Sequence, residues 1–214
     1  MKFCGFKAYL CNLLCISLLV VAPALNAQAS SFKWLLMGDS LSASYGVDPE
    51  QGWVNLLNQQ STTLPSAWQI INASISGETS KGGLQRLNQA LDESSVDGLI
   101  IELGGNDGLR GYPPKQTREN LQNMIDIGKQ RGLRVAIMQI EIPPNYGSRY
   151  TSAFRNIFSE LAEQNEIDYL PFFMQELATQ PDYMQDDGIH PNTAAQPILA
   201  ELMVEMLQPI SQTP

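Results

Sequence analysis

Five short runs of apolar residues are the most regular feature of the chain, and several are apolar nearly throughout rather than at alternate positions. Parallel strands that are covered on both faces have this pattern. In a strand with one solvent-exposed face, apolar and polar residues alternate. The sequence therefore predicts five buried parallel strands. They lie at residues 32–37, 68–73, 96–103, 133–140 and 167–172.

Amphipathic stretches predict helices at 115–131 and 148–165, and a last helix at 199–207. In the first two, apolar residues three and four positions apart share one face. Strands that alternate with helices are typical of a doubly wound α/β sheet with helices on both faces and right-handed crossovers. The two faces consist of Leu121, Met124, Ile125 and Gly128, and of Phe154, Ile157, Phe158 and Leu161.

The first segment of the chain has the order of regions of a secretory signal. Lys2 and Lys7 supply positive charge, an apolar run follows from residue 9 to about residue 21, and small residues follow up to Ala29. We predict a signal peptide at 1–29, cleaved after about residue 27 or 29, and a single domain at 30–214. An uncleaved membrane anchor is the alternative, but the run is shorter than the roughly 20 residues of a span.

Charge and cysteine content narrow the classes of function. The formal net charge of −9 becomes −11 when Lys2 and Lys7 leave with the signal. An acidic protein lacks the positively charged surface that binds nucleic acid, and anionic membranes repel it. All three cysteines, Cys4, Cys11 and Cys15, lie in the predicted signal, so the mature chain would have neither a thiol nucleophile nor a Cys-ligated metal.

Small polar residues and glycines follow the predicted strands. The sequence Gly-Asp-Ser-Leu at 38–41 follows the first strand, Gly77 lies after the second, and Gly-Gly-Asn-Asp at 104–107 follows the third. The only histidine, His190, follows the fifth strand after a short helical piece. Because ligands of open α/β sheets bind outside the carboxyl ends of the strands, we expect these residues to meet at one edge.

A serine nucleophile needs a base and a group that orients the base. Ser40 follows a strand directly, His190 is the only imidazole, and Asp187 precedes it by three residues, a spacing that one turn can close. Pro191 disfavours α geometry at His190 and so predicts a loop there. Alternatively, Ser40 is a helix N-cap and His190 an ordinary hydrogen-bonded histidine.

Gly77 and Asn106 complete a possible oxyanion hole with the Ser40 N–H, since glycine allows close approach of a backbone N–H and the Asn106 amide can donate. A turn glycine and a loop-capping amide are the alternatives. Asp39 and Asp107 also end strands and could form a carboxylate pair for glycoside hydrolysis or a metal. A hydrogen bond from Asp39 to the loop beneath the serine is the simpler interpretation.

Together, Gly-Asp-Ser-Leu at 38–41, Gly77, Gly-Gly-Asn-Asp at 104–107 and Asp-Gly-Ile-His at 187–190 resemble the four blocks of the SGNH (GDSL) hydrolase family. The segments at 103–111, 143–147 and 184–191 are similar to its bacterial periplasmic acyl-CoA thioesterase I, lysophospholipase and arylesterase subgroup. The resemblance implies a three-layer α/β/α sandwich with a flavodoxin-like five-stranded parallel sheet.

The resemblance also implies a serine hydrolase that cleaves carboxylic esters and thioesters of acyl substrates. Ser40 would be the nucleophile, His190 the base and then the acid, and Asp187 the orienting group. The oxyanion hole would comprise the Ser40 and Gly77 N–H groups and the Asn106 amide. The residues expected to bind substrate are Leu109, Arg110, Ile142, Pro143 and Tyr146.

For such an enzyme we expect no cofactor and no metal. We also expect a monomer with small-molecule acyl substrates, no nucleic-acid partner and no stable membrane insertion after signal removal. The protein would be exported, either to the periplasm of a Gram-negative bacterium or out of the cell. A carbohydrate or small-ester deacetylase on the same fold remains an alternative, as does a non-catalytic lipid-binding module.

Overall fold

The computed structural model describes Met1 and residues 32–61 and 68–211. The predicted signal peptide, apart from Met1, lies outside the described residues. Among the helices of the described part, none combines the length and the apolar character needed to span a membrane.

A five-stranded parallel sheet lies at the centre of the fold, with the order β2-β1-β3-β4-β5. This is the flavodoxin-like order that the resemblance implied. The register pairs Phe32 with Trp68, Trp34 with Gly98 and Ala136 with Asp168. The strands are β1 (Phe32–Gly38), β2 (Trp68–Asn72), β3 (Gly98–Glu102), β4 (Arg134–Met138) and β5 (Asp168–Leu170).

The five predicted strands are confirmed, although four of the apolar runs extend beyond the strands that they contain. Leu103 and Ile140, for example, are buried but follow β3 and β4 rather than belonging to them. Apolar character reports burial, and the first residues of these loops are as buried as the strands. The sequence pattern therefore located the strands better than it located their ends.

Six helices cover the sheet in the described part of the chain. The predictions at 115–131 and 148–165 are confirmed within one residue at each end, and the last helix extends further in both directions than 199–207. Three helices were not predicted, namely the first helix after each of β1, β2 and β3. The helices are α1 (Trp53–Ser61), α2 (Ser80–Asp92), α3 (Gly105–Leu109), α4 (Pro114–Gln130), α5 (Ser148–Asn165) and α6 (Gln196–Ser211).

Two hydrophobic cores lie on opposite faces of the sheet. Along β1, Trp34 and Leu36 belong to the core that contains residues of α1 and α6. Leu35 and Met37 belong to the core formed with α2, α4 and α5. Since neighbouring residues of each strand contribute to different cores, the strands have to be apolar throughout. The architecture is thus the predicted three-layer sandwich. The loops at the carboxyl edge of its sheet lie outside the two cores.

Candidate active site

The candidate catalytic and oxyanion-hole residues lie in loops that follow the carboxyl ends of the strands. Ser40 is the second residue after β1, Asn106 is in the first turn of α3 after β3, and Gly77 lies between β2 and α2. His190 lies in the loop before α6, next to a short antiparallel bridge between Met184 and Pro191. Because β1 lies between β2 and β3, Ser40 lies between the loops that carry Gly77 and Asn106.

Ser40, His190 and Asp187 form a continuous line of hydrogen bonds. The Ser40 Oγ lies 2.8 Å from His190 Nε2, and His190 Nδ1 lies 2.6 Å from Asp187 Oδ2. With its proton on Nδ1, the imidazole donates to Asp187 and accepts from the Ser40 hydroxyl. This arrangement is the one that a serine nucleophile with a general base requires.

The backbone of the histidine loop fixes the Asp187 carboxylate. Its Oδ1 accepts hydrogen bonds from the N–H groups of Ile189 (2.9 Å) and His190 (3.0 Å). Partial desolvation acts to raise the pKa of Asp187, but these bonds and the one from the His190 ring hold it at about 2, below its usual 3.8. Asp187 is therefore ionised at neutral pH and holds the ring through one oxygen and the backbone through the other.

The three predicted oxyanion-hole donors are available for a ligand. In the described part of the chain, neither the Ser40 N–H nor the Gly77 N–H donates to another atom. Gly77 has a φ of +79°, which L side chains rarely adopt. The Asn106 Nδ2 uses one hydrogen on Asp39 Oδ2 at 3.1 Å and retains the other. Unpaired donors at the edge of a pocket are suited to a developing negative charge.

Asp39 supports the serine loop from below, as the sequence suggested. Its carboxylate is almost fully buried, and it accepts hydrogen bonds from the Leu41 N–H (3.1 Å) and from the Asn106 amide. Burial raises the pKa of Asp39 from 3.8 to about 6 against the effect of these two bonds. The side chain therefore couples the position of Asn106 to the turn that contains Ser40.

Asp107 has a separate structural role and does not line the cavity described below. Its carboxylate accepts hydrogen bonds from the Ser80 N–H (2.8 Å), the Ser80 hydroxyl (2.5 Å) and the Thr117 hydroxyl (3.4 Å). These contacts join α2, α3 and α4 beneath the loops. The geometry therefore does not favour the interpretation of Asp39 and Asp107 as a catalytic carboxylate pair.

Glu102, at the end of β3, is a buried carboxyl group that the sequence did not single out. It accepts hydrogen bonds from the Ser42 hydroxyl (2.8 Å) and the Asp39 N–H (3.2 Å), so it holds both ends of the serine turn. Complete burial, together with the charge of Asp39, raises the pKa of Glu102 well above its usual value. A Cβ at Gly38 would lie only 2.4 Å from Glu102 Oε2, which explains the glycine.

Tyr45 and Gln185 brace the histidine and were also missed. The Tyr45 ring lies 4.4 Å from the His190 ring, centroid to centroid. The Gln185 amide donates to the carbonyl oxygens of Tyr45 (2.7 Å) and Pro191 (3.0 Å), and so ties the loop after β1 to the histidine loop. Nothing in the sequence spacing indicated these contacts, because Tyr45 and Gln185 are 140 residues apart.

A cavity of about 500 Å³ opens beside Ser40 and Asn106. Leu109, Ile142 and Pro143 line it, as expected of substrate-binding residues. Arg110 and Tyr146 do not line it in the described part of the chain. Arg110 Nη2 donates to the Gly77 carbonyl at 3.0 Å, and the Tyr146 hydroxyl donates to the Leu109 carbonyl at 2.7 Å. Tyr146 thus holds Leu109, which lines the cavity, whereas Arg110 ties the end of α3 to the Gly77 loop, which does not line it.

The groups at this edge suit covalent acyl chemistry. The described residues contain no group of three or more His, Cys, Asp or Glu side chains that could hold a metal ion. A hydroxyl, a base, an orienting carboxylate and free N–H donors can perform acyl transfer with side chains and backbone alone.

Comparison with known proteins supports the same interpretation. Residues 36–197 match the model of the GDSL-like lipase/acylhydrolase family. The arylesterase of Vibrio mimicus is 45% identical over 181 residues, which are 85% of this chain and 90% of the relative. Thioesterase 1/protease 1/lysophospholipase L1 of Escherichia coli (strain K12) is 45% identical over 176 residues, which are 82% of this chain and 83% of the relative.

The fold is also similar to that of solved esterases. The psychrotrophic esterase EstA of Pseudoalteromonas sp., solved in a form inhibited by monoethylphosphonate, superposes with a TM-score of 0.82 at 40% identity. The match covers 85% of this chain and 99% of the esterase.

Proposed function

The chain belongs to the GDSL-like lipase/acylhydrolase family, and we propose that it hydrolyses carboxylic esters and thioesters of acyl substrates through an acyl-enzyme on Ser40. Its relatives include an arylesterase and a thioesterase/lysophospholipase, and a similar esterase is inhibited by a phosphonate. The observation that carries the proposal is the line of hydrogen bonds from Ser40 through His190 to Asp187.

The reaction is a double displacement. Ser40 Oγ attacks the carbonyl carbon while His190 Nε2 takes its proton, and the resulting imidazolium is stabilised by the ionised Asp187. His190 then protonates a leaving alkoxide. A thiol leaves as thiolate, and the proton on His190 then passes to that thiolate or to solvent, so that the imidazole is neutral again. Water, deprotonated by the same imidazole, attacks the acyl-enzyme and releases the carboxylic acid and Ser40.

The negative charge of the tetrahedral intermediate falls on the former carbonyl oxygen. The N–H groups of Ser40 and Gly77 and the second hydrogen of the Asn106 amide are the donors that we assign to it. Because Asp39 holds the Asn106 amide in place before substrate arrives, the donor needs no reorganisation during the reaction.

The substrates are small acyl esters, and the apolar lining of the cavity favours an acyl chain over a sugar. Leu109, Ile142 and Pro143 present hydrocarbon next to the nucleophile, which suits the chain of an acyl group. We further propose that the enzyme is an exported monomer whose first 27 or 29 residues are removed. N-terminal sequencing of the protein from the periplasm and light scattering of the purified enzyme test these two points.

Labelling with a fluorophosphonate probe tests the site assignment. Mature protein is treated with the probe, the adduct is located by peptide mass spectrometry, and hydrolysis of p-nitrophenyl butyrate and of acetylated sugars is followed in parallel. We expect an adduct on Ser40 and loss of both labelling and hydrolysis in Ser40→Ala. Labelling at another serine, or turnover of acetylated sugars alone, would contradict the proposal.

A further inference from the structure

The cavity beside Ser40 extends in one direction only. It is bordered by residues that follow β1, β3, β4 and β5, and no residue of the loop after β2 lines it. Since the strand order is β2-β1-β3-β4-β5, the cavity runs from the nucleophile across the carboxyl ends of three further strands. Strands are about 4.8 Å apart, so the ends of β4 and β5 lie about 10 Å and 14 Å from the end of β1 along the edge of the sheet.

The polar side chains of the cavity wall are unevenly distributed. Near the nucleophile the wall is apolar apart from the site residues themselves, with Leu41 after β1 and Leu109 after β3. All other charged and hydrogen-bonding side chains of the wall come from the loop after β4, from α5 and from the loop after β5. They are Glu141, Thr151, Arg155, Gln175 and Thr179.

The ion pair between Glu141 and Arg155 is the most strongly polar part of this far wall. Arg155 Nε and Nη2 both donate to Glu141 Oε2, at 2.9 Å and 2.6 Å. The Glu141 side chain is 21% exposed and the Arg155 side chain 60% exposed, so the pair sits at the rim with its carboxylate partly shielded. Hydrocarbon that crossed the pair would remove water from both charges and could not replace its hydrogen bonds.

We propose that the Glu141–Arg155 ion pair ends the acyl-binding part of the cavity and selects acyl chains of medium length. The inference rests on the proposed function, since it assumes that the acyl chain starts at Ser40. A C–C bond of about 1.5 Å advances an extended chain by roughly 1.3 Å per carbon. The distances of about 10 Å and 14 Å therefore correspond to acyl groups of roughly eight to eleven carbons.

Chain elongation has opposite effects before and at the ion pair. Each methylene that enters the apolar part leaves water, which should raise kcat/KM by up to about fourfold. A methylene that reaches the charged rim gains no such burial and displaces water from the ion pair. We expect kcat/KM to rise from butyryl to octanoyl or decanoyl and to fall at least tenfold from there to palmitoyl.

Paired substitutions test the role of the ion pair. In Glu141→Met/Arg155→Met the charges are removed and the side-chain length is largely kept. The matched control is Arg118→Met/Glu160→Met, because that ion pair (2.8 Å) joins α4 to α5 and does not line the cavity. Acyl-CoA thioesters are supplied below their micelle concentrations, and melting temperatures confirm that each variant is folded.

We expect the ratio of kcat/KM for palmitoyl over octanoyl substrates to rise at least tenfold in Glu141→Met/Arg155→Met and to stay within twofold of wild type in the control. An equal rise in both variants, no rise in either, or a wild-type kcat/KM that still increases at palmitoyl overturns the proposal. A dependence on alkyl length in a series of alkyl acetates, with none on acyl length, also overturns it because the cavity would then bind the alcohol.

Measuring the affinity of an inactive variant for fatty acids tests the chain-length selection independently of the proposed hydrolysis. Two proteins are titrated with octanoate, decanoate and palmitate. One carries Ser40→Ala alone, and the other carries Ser40→Ala together with Glu141→Met/Arg155→Met. If hydrolysis were absent but Ser40→Ala still bound decanoate at least tenfold more tightly than palmitate, the proposed function would fail and the chain-length selection would stand. Equal affinity for both acids, with hydrolysis intact, overturns the selection alone.

Discussion

The ring of Tyr45 lies 4.4 Å from the ring of His190, with 40° between the two planes. In the proposed mechanism His190 takes the serine proton, so the positive charge of the imidazolium would develop beside this aromatic ring. Such a contact is worth about 0.5–1 kcal/mol at an exposed site, and Tyr45 is 49% exposed. Tyr45 is thus positioned to contact the imidazole ring and to restrict its rotation.

Tyr45→Leu should lower kcat by about threefold to fivefold while KM changes less than twofold, because the aromatic contact strengthens only when the imidazolium forms. Steady-state kinetics with p-nitrophenyl butyrate measures both constants. Tyr45→Phe is the control, since it keeps the ring and loses only the hydroxyl, and it should remain within twofold of wild type. Equal losses in the Leu and Phe variants would show that the ring is not the relevant group.

Substitution of the triad should have graded effects. Ser40→Ala and His190→Ala each remove a group that forms or breaks a bond and should lower kcat by about 10⁵-fold or more. Asp187→Asn keeps the shape of the side chain but loses its charge, and it should lower kcat by roughly 10⁴-fold. The double variant Ser40→Ala/His190→Ala should be little worse than either single variant. Additive losses would contradict a triad that acts as one unit.

Activity should be lost at acid pH, because only a neutral His190 ring can accept the serine proton and because Asp39, whose pKa is about 6, then no longer holds the Asn106 amide as a carboxylate. Asp187 does not contribute to this loss, since its pKa of about 2 keeps it ionised throughout. Profiles of kcat/KM against pH for p-nitrophenyl butyrate measure the effect. A kcat/KM that did not fall at acid pH, with acylation shown to be rate-limiting, would argue against His190 as the base.

The Asn106 amide should contribute through the transition state rather than through substrate binding. Asn106→Ala should lower kcat by about 10²–10³-fold with little change in KM, as is usual for one oxyanion-hole donor. Asn120→Ala is a suitable control, because that half-buried amide donates to Ser80 at 2.9 Å outside the cavity. A large rise in KM for Asn106→Ala would instead indicate a role in binding the ground state.

The sequence predicted those parts of the site that depend on local spacing. Asp187 and His190 are three residues apart in one turn, and Ser40 follows an apolar strand, so both the hydrogen bond within the loop and the position of the serine at the edge of the sheet were predictable. The meeting of these loops followed from the parallel sheet, whose carboxyl edge collects the ends of all its strands.

Contacts between distant segments were not predictable in the same way. In the sequence, Glu102 is only a polar residue near the end of an apolar run. The fold shows that its carboxyl group lies under the serine turn. The helix α2 was missed because Gly82 and Gly83 lower its propensity. It forms nonetheless, since Thr79 caps it by accepting a hydrogen bond from the Gly82 N–H and since Leu87 is fully buried.

Asp39 should make the enzyme less stable as the pH rises. Its pKa is about 6 in the folded state and about 3.8 when exposed, so the fold favours the protonated form. The stabilisation from that proton is complete below about pH 3.8 and is lost as the pH rises through 6. A shift of this size corresponds to at most about 3 kcal/mol. The buried Glu102 acts in the same direction.

Asp39→Asn should therefore raise the free energy of unfolding at pH 8 by up to about 3 kcal/mol and have a much smaller effect at pH 4, because only the ionised carboxyl is penalised by burial. Urea denaturation at both pH values measures this. The same substitution should lower kcat at least tenfold, since an asparagine cannot accept from both Leu41 and Asn106 as the carboxylate does. A variant that was less stable at pH 8 than at pH 4, relative to wild type, would show that the hydrogen bonds outweigh the cost of the buried charge.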